Sequence, residues 1–126
     1  SQVRSFTEQP LGKSVSPDTS LELLGMMEQV VLRGSGRHAK IPGYRVGGKT
    51  GTAQKVQNGR YLKGRYIASF IGMVPITEPR LAIFIAADEP KGSIWGETVA
   101  APAVGKIAKA ALSYLDIPPD NITSLK

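Results

Sequence analysis

The residues with the clearest chemical potential lie in one glycine-rich stretch, GYRVGGKTGTAQ, at positions 43–54. Lys49 carries an ammonium group, and the hydroxyl groups of Thr50 and Thr52 flank Gly51, which has no side chain. Two kinds of chemistry use such a set. A glycine-rich loop that opens a helix binds phosphate groups. A lysine and threonines on a strand edge instead bind a carboxylate group or assist proton transfer at a neighbouring hydroxyl group.

The phosphate-binding interpretation has two matching segments but the wrong surroundings. GYRVGGKT fits the pattern G-x-x-x-x-G-K-[ST], and LAIFIAADE at 81–89 resembles the strand that holds magnesium in nucleotide hydrolases. A phosphate loop, however, follows a buried strand and begins a helix. A helix starting at Lys49 would contain Gly51 and Asn58-Gly59, and each glycine costs about 1 kcal/mol relative to alanine. We therefore place Lys49 on a strand.

The elements that must position Lys49 are predicted to form an α+β fold, an antiparallel β-meander packed with two helices. The predicted strands cover about 44–57, 65–74 and 80–88, and the predicted helices cover about 17–33 and 97–116. Asn58-Gly59 is a strong signal for a two-residue hairpin turn between the first two strands. Residues 34–43, which contain the single histidine, His38, are predicted to be a loop.

Apolar spacing and capping residues predict the two helices. Ser16 suits an N-cap and Pro17 suits the first helical position. The apolar positions at helical spacing are Leu21, Leu24, Met27 and Val31 in the first helix, and Val104, Ile107, Ala111 and Leu115 in the second. Pro102 must lie in the first turn of the second helix, because proline inside a helix breaks it.

Charge is distributed unevenly along the chain, whose formal net charge is +6. Residues 29–77 contain no aspartate or glutamate but hold nine lysines and arginines, so this stretch attracts anions. The aromatic residues Tyr44, Tyr61, Tyr66 and Phe70 lie in the same stretch, which leaves a nucleic-acid-binding module open as an alternative. The absence of cysteine excludes disulfides and thiol chemistry, and one histidine alone cannot form a metal site.

KTGTAQ, in the setting PGYRVGGKTGTAQ, resembles the Lys-Thr-Gly box of penicillin-binding proteins. The resemblance extends over most of the chain. SPDTSLELLGMMEQVV, YIASFIGMVPITEPRLAIFIAADEP and ETVAAPAVGKIAKAALSYLDIPP are similar in order and spacing to the preceding helix, the following strand pair and the closing helix. β-Lactamases and D,D-carboxypeptidases share the box, but GGKTGTAQ with ASFIGMVP favours the high-molecular-weight class B transpeptidases, which cross-link peptidoglycan in elongation, division or sporulation.

The resemblance implies a role for each residue of the box. Lys49 would support the catalytic hydrogen-bond network, and the backbone N–H of Thr52 would be one of two oxyanion-hole donors. Thr50, Gly51 and Thr52 would bind the substrate, with the threonines holding the carboxylate of a D-Ala-D-Ala stem peptide or a β-lactam. The family's acyl-enzyme chemistry implies no cofactor, no metal and no nucleic acid. It also implies an extracytoplasmic location, with a membrane anchor that we expect outside this chain.

Three departures from the family pattern matter. None of the ten serines has lysine three residues later, so the nucleophile motif Ser-x-x-Lys is missing, as is Ser-x-Asn. We therefore expect residues 1–126 to be the C-terminal part of a transpeptidase domain, inactive alone, which self-associates or binds the N-terminal part. Trp95 and Glu97 stand where the family often has Tyr-Gly-Gly-type residues. Trp95 is predicted to be a packing residue at the helix start, and the pattern assigns Glu97 no role.

Overall fold

Three strands form a single antiparallel sheet in the computed structural model, which describes residue 7 and residues 9–121. The elements are α1 (Pro17–Arg33), a 3₁₀ turn (Arg37–Ala39), β1 (Gly47–Gln57), β2 (Arg60–Val74), β3 (Leu81–Asp88), α2 (Gly96–Val99) and α3 (Ala101–Tyr114). The strand order is β1-β2-β3, so consecutive strands are neighbours. The predicted α+β meander is therefore confirmed.

A two-residue turn joins β1 to β2, as the Asn58-Gly59 signal predicted. Both residues have positive φ, 51° and 75°, which is the requirement of a type I′ hairpin turn. The strand bounds differ from the prediction. β1 begins at Gly47 instead of residue 44, because Ile41 and Tyr44 form a separate bridge. β2 begins at Arg60 instead of residue 65, because the tight turn continues the ladder through polar residues.

Helix α1 has the predicted bounds and the predicted cap. The Ser16 hydroxyl accepts a hydrogen bond from the backbone N–H of Thr19 at 3.2 Å, and Pro17 occupies the first turn. The predicted apolar stripe is buried only at its C-terminal end: Val31 is buried, whereas Leu21 is 65% exposed. Only the second half of α1 therefore contributes to the core.

The helix predicted over about 97–116 is confirmed in its place, but Ala100 divides it into the short α2 and the longer α3, which ends at Tyr114. Pro102 lies in the first turn of α3, where its missing N–H costs no hydrogen bond. The apolar face also differs: Ile107 and Leu115 are about half exposed. The residues that α3 buries are Ala101, Val104, Gly105, Ala108 and Leu112. Small residues define this face because α3 approaches its neighbours closely, and a Cβ at position 105 would lie 3.3 Å from the Cα of Ala39.

The core lies between α3 and one face of the sheet. Phe70 and Val74 of β2 are buried with Val104 and Leu112 of α3, and Val31 of α1 joins the same cluster. The other face, which we call the open face, consists of residues that alternate with these. On it Lys49, Ile71 and Phe84 lie side by side on the three strands, and Phe84 is 64% exposed. Within the described residues, no helix has the length and apolar character needed to cross a membrane.

Candidate functional site

Lys49 lies on extended backbone in the edge strand of the sheet. It pairs with Ile71, while Thr50 pairs with Phe70 and Thr52 with Ala68. Directly opposed residues share a face, so Lys49 is on the open face and the two threonines are on the face that α3 covers, as the alternation predicted. The strand continues to Gln57 and no helix follows Lys49. The phosphate-loop interpretation is therefore rejected, because no helix N-terminus is present to supply amides.

A cleft of about 350 Å³ contains most of the predicted site. Its lining residues are Ser35, Lys49, Thr50, Thr52, Trp95, Gly96 and Glu97. The structure thus brings together three of the four predicted residues, with Gly51 between them in the strand. The segment after α1 supplies Ser35, and the start of α2 supplies the last three residues. The cleft therefore has walls from three parts of the chain.

The ammonium group of Lys49 lies against Thr50. Its Nζ donates to the carbonyl oxygen of Thr50 at 3.0 Å and lies 3.5 Å from the hydroxyl of Thr50. That hydroxyl is 3.2 Å from the hydroxyl of Ser35. Among the described residues Lys49 has no ion-pair partner, so its charge is available to an anion. Sequence reasoning missed Ser35, because nothing in the local pattern links it to a residue fifteen positions later.

Gly96 allows α2 to lie directly on the strands that carry the box. A Cβ at position 96 would lie 2.0 Å from the carbonyl oxygen of Ser69 and 3.3 Å from that of Gly51. A Cβ at position 51 would lie 2.5 Å from the hydroxyl of Ser69. A hydrogen bond also connects α2 to the 3₁₀ turn: Nδ1 of His38 donates to the carbonyl oxygen of Glu97 at 2.9 Å. These contacts fix the position of α2 relative to β1.

Trp95 and Glu97 flank Gly96 and line the cleft. The prediction that Trp95 is a packing residue is wrong, because its side chain is 58% exposed. Glu97 is partly exposed, and within the described part of the chain it forms no ion pair. Sequence reasoning placed both residues before the closing helix and did not connect them with the box.

A larger cavity of about 630 Å³ lies beside α1 and contains none of the predicted residues. Its charged lining residues are Glu28, Lys40 and Arg45. Arg45 forms a bidentate ion pair with the buried Glu28 at 2.7 and 2.6 Å. This hydrogen bonding raises the pKa of Arg45. Because a carboxylate already occupies the guanidinium group, we assign the functional site to the smaller cleft.

Most of the aromatic rings that could stack on nucleic-acid bases are not exposed. Phe70 is fully buried and Tyr66 is half-buried. The hydroxyl of Tyr44 donates to the carbonyl oxygen of Ile117 at 2.6 Å, which holds the ring against the core. Of the four aromatic residues only Tyr61, 74% exposed, has a free ring. Single-strand binding depends on a row of exposed aromatic rings, which one exposed tyrosine does not provide.

Lys-Thr-Gly-Thr therefore lies on an edge strand, with the rest of the sheet behind it and α2 and α3 following in the chain. A family model described as the penicillin-binding protein transpeptidase domain matches residues 4–109. The chain belongs to this family.

Two relatives illustrate the similarity. Stage V sporulation protein D of Bacillus subtilis is 48% identical over 115 residues, which are 89% of this chain and 18% of that protein. The peptidoglycan D,D-transpeptidase FtsI of Escherichia coli K12 is 39% identical over 117 residues, 90% of this chain and 20% of that protein. The chain therefore spans about a fifth of the length of these relatives.

Solved structures agree with the same assignment. The transpeptidase domain of penicillin-binding protein 3 from Burkholderia pseudomallei, without ligand, matches with a TM-score of 0.73 and 41% identity, over 83% of this chain and 32% of that one. Penicillin-binding protein 3 from Mycobacterium tuberculosis, in complex with ampicillin, matches with a TM-score of 0.75 and 32% identity, over 90% of this chain and 28% of that one.

Proposed function

We propose that this chain supplies the carboxylate-binding strand of a serine-type D,D-transpeptidase that cross-links peptidoglycan stem peptides. The proposal rests on one observation: Lys49, Thr50 and Thr52 line the same cleft on the edge strand. We assign the site residues from the Lys-Thr-Gly box, and the helices and strands around the box also resemble those of the family. Lys49 and Thr52 are the proposed catalytic residues, and Thr50, Gly51 and Thr52 are the proposed substrate-binding residues.

The chemistry of the cleft suits a peptide that ends in a carboxylate. The ammonium group of Lys49, which forms no ion pair within the described residues, and the threonine hydroxyls offer charge-assisted hydrogen bonds to such an anion. An edge strand also binds an extended peptide by adding it as a further strand. The backbone N–H of Thr52 is proposed as an oxyanion donor, and removing one such donor costs about 10²–10³ in rate in comparable sites.

The nucleophile must come from elsewhere, because no serine here has lysine three positions on. We propose that it belongs to the remainder of the transpeptidase domain, which contacts this chain over the open face of the sheet. A neighbouring protein of the family binds ampicillin, and we extend β-lactam binding to the complete domain. We further propose that the complete protein acts outside the cytoplasm and is anchored to the membrane by a segment outside this chain.

Labelling with a fluorescent penicillin tests the proposal. We expect no covalent label on this chain alone, and label on the serine of the upstream segment when the two are produced as one domain. In that domain Lys49→Ala should slow acylation by about 10²-fold. Lys63→Ala, which removes an exposed lysine of β2 outside the cleft, is the matched control and should label normally. Label on the isolated chain would contradict our account of the nucleophile.

A further inference from the structure

We infer that Glu97 and Trp95 make the cleft selective for ligands that carry an ammonium group close to their terminal carboxylate. This inference rests on the proposed function, in which Lys49 and its threonines bind the carboxylate. It assigns a specificity-determining role to two residues that the transpeptidase pattern leaves without one.

Opposite charges line the same cleft without neutralising each other. Lys49 and Glu97 both line it, and in the described part of the chain neither forms an ion pair. The acidic residues at the end of β3 are not available in this way, because Asp88 and Glu89 are paired with Lys55 and Arg65. A ligand with only a carboxylate would satisfy Lys49 and leave Glu97 unpaired, whereas a zwitterionic ligand satisfies both.

The exposed ring of Trp95 also favours a ligand with an ammonium group. More than half of the side chain is accessible, at 58%, and it lines the cleft next to Gly96 and Glu97. Tryptophan is the best partner for a cation over an aromatic face. An indole ring and a carboxylate on one wall therefore both attract an ammonium group, and the carboxylate repels a second anion.

The structure holds this wall at a fixed distance from the carboxylate-binding strand. Position 96 touches the backbone of Ser69 and Gly51 so closely that only glycine fits, and His38 donates a hydrogen bond to the backbone of Glu97. Trp95 and Glu97 are the immediate neighbours of this anchored residue. Their positions relative to Lys49 are therefore set by backbone contacts, as a specificity wall requires.

The ligand class that fits is a short peptide with a terminal carboxylate and a side-chain or backbone ammonium group near that end. The cleft volume of about 350 Å³ lies within the range of about 300–1,000 Å³ that is usual for small-ligand sites. The peptide end would lie along β1, with the ammonium group toward the start of α2.

Three penicillins that differ only at one position of the acyl side chain provide the test. Benzylpenicillin is uncharged there, ampicillin has an ammonium group and carbenicillin has a carboxylate. The acylation rate of the complete transpeptidase domain is measured with each, and the rates for ampicillin and carbenicillin are divided by that for benzylpenicillin. The wild-type domain should prefer ampicillin over carbenicillin. Glu97→Gln should reduce that preference about two- to fivefold, which is the effect of one exposed charge pair. Trp95→Leu should also reduce the preference for ampicillin.

Matched controls separate a local charge effect from a general one. Glu78→Gln removes an equal charge on the exposed turn between β2 and β3, outside the cleft lining, and should leave the preference unchanged. Raising the salt concentration should weaken the wild-type preference, because exposed charges are screened. An unchanged preference in Glu97→Gln would overturn this inference alone. Failure of all three penicillins to acylate the wild-type domain would overturn the proposed function, and this inference with it.

Discussion

Gly96 is the residue whose missing side chain has the largest structural consequence. Its backbone lies against the carbonyl oxygen of Ser69, and a Cβ there would come within 2.0 Å of that atom. The obstacle is backbone within the sheet, which cannot rotate away as a flexible side chain can. A single methyl group at this position therefore separates α2 from the strands and widens the cleft.

Gly96→Ala should accordingly destabilise the chain by about 1–3 kcal/mol, the usual cost of overpacking. The control is Gly25→Ala in α1, where a new Cβ meets no atom within 4 Å and where alanine should stabilise the helix by up to about 1 kcal/mol. Urea unfolding of the two variants beside the wild type gives both values. Equal stability of Gly96→Ala and the wild type would show that α2 does not rest on Ser69.

The ends of the three strands are joined, away from the cleft, by a cluster of ion pairs. Lys55 of β1 bridges Asp88 at 2.8 Å and Glu89 at 2.7 Å, and Arg65 of β2 also pairs with Glu89. Hydrogen bonds from Arg65 and then from Lys55 lower the pKa of Glu89 from 4.5 to about 2. The cluster thus links the hairpin formed by β1 and β2 to the end of β3.

The lowered pKa of Glu89 predicts a pH dependence of stability. A carboxylate with a depressed pKa in the folded state stabilises that state above its ordinary pKa of 4.5, and the contribution disappears as pH falls through about 2. The difference in unfolding midpoint between the wild type and Glu89→Gln should therefore be largest near neutral pH and shrink across this range. Glu78 forms no ion pair among the described residues. The difference in unfolding midpoint between the wild type and Glu78→Gln should therefore not show this pH dependence.

Local sequence signals predicted the strands well and the closing helix less well. Alternation around Lys49 and the Asn58-Gly59 turn depend on near neighbours, so β1, its two faces and the hairpin could be predicted. The break at Ala100 was missed although Pro102 indicates it, because a helix that began at residue 97 would place this proline beyond the first turn, where proline breaks a helix. Ser35 and Glu97 join the cleft through tertiary contacts, which no spacing rule along the chain reveals.

At the scale of the whole molecule, α3 covers one face of the sheet, whereas the open face meets α1 near Gly47 and is exposed along β3 in the described part of the chain. Phe70 and Val74 face the core under α3, whereas Phe84 on the open face is 64% exposed beside the half-buried Ile71. Burying one such aromatic side chain contributes about 1.5–3 kcal/mol. We therefore expect the open face to bind a partner, and we propose that this partner is the remainder of the transpeptidase domain.

The isolated chain should consequently self-associate at high concentration through its open face. Phe84→Asp should shift it toward monomer, because a buried unpaired charge opposes association. Tyr114→Asp changes an aromatic residue that is 86% exposed at the end of α3, and it should associate as the wild type does. Sedimentation velocity over a range of concentrations distinguishes these outcomes. A wild-type chain that remains monomeric at high concentration would contradict the expectation.

The hairpin between β1 and β2 extends past the third strand, because β3 pairs with β2 only from Ile67 to Val74. Its tip at Asn58 and Gly59 is exposed and lies at the opposite end of β1 from Lys49. Longer loops add little closure cost, so this tip is the natural place to graft a dye or an affinity tag. A reporter attached there would follow the chain in the binding experiments while its cleft stays unobstructed.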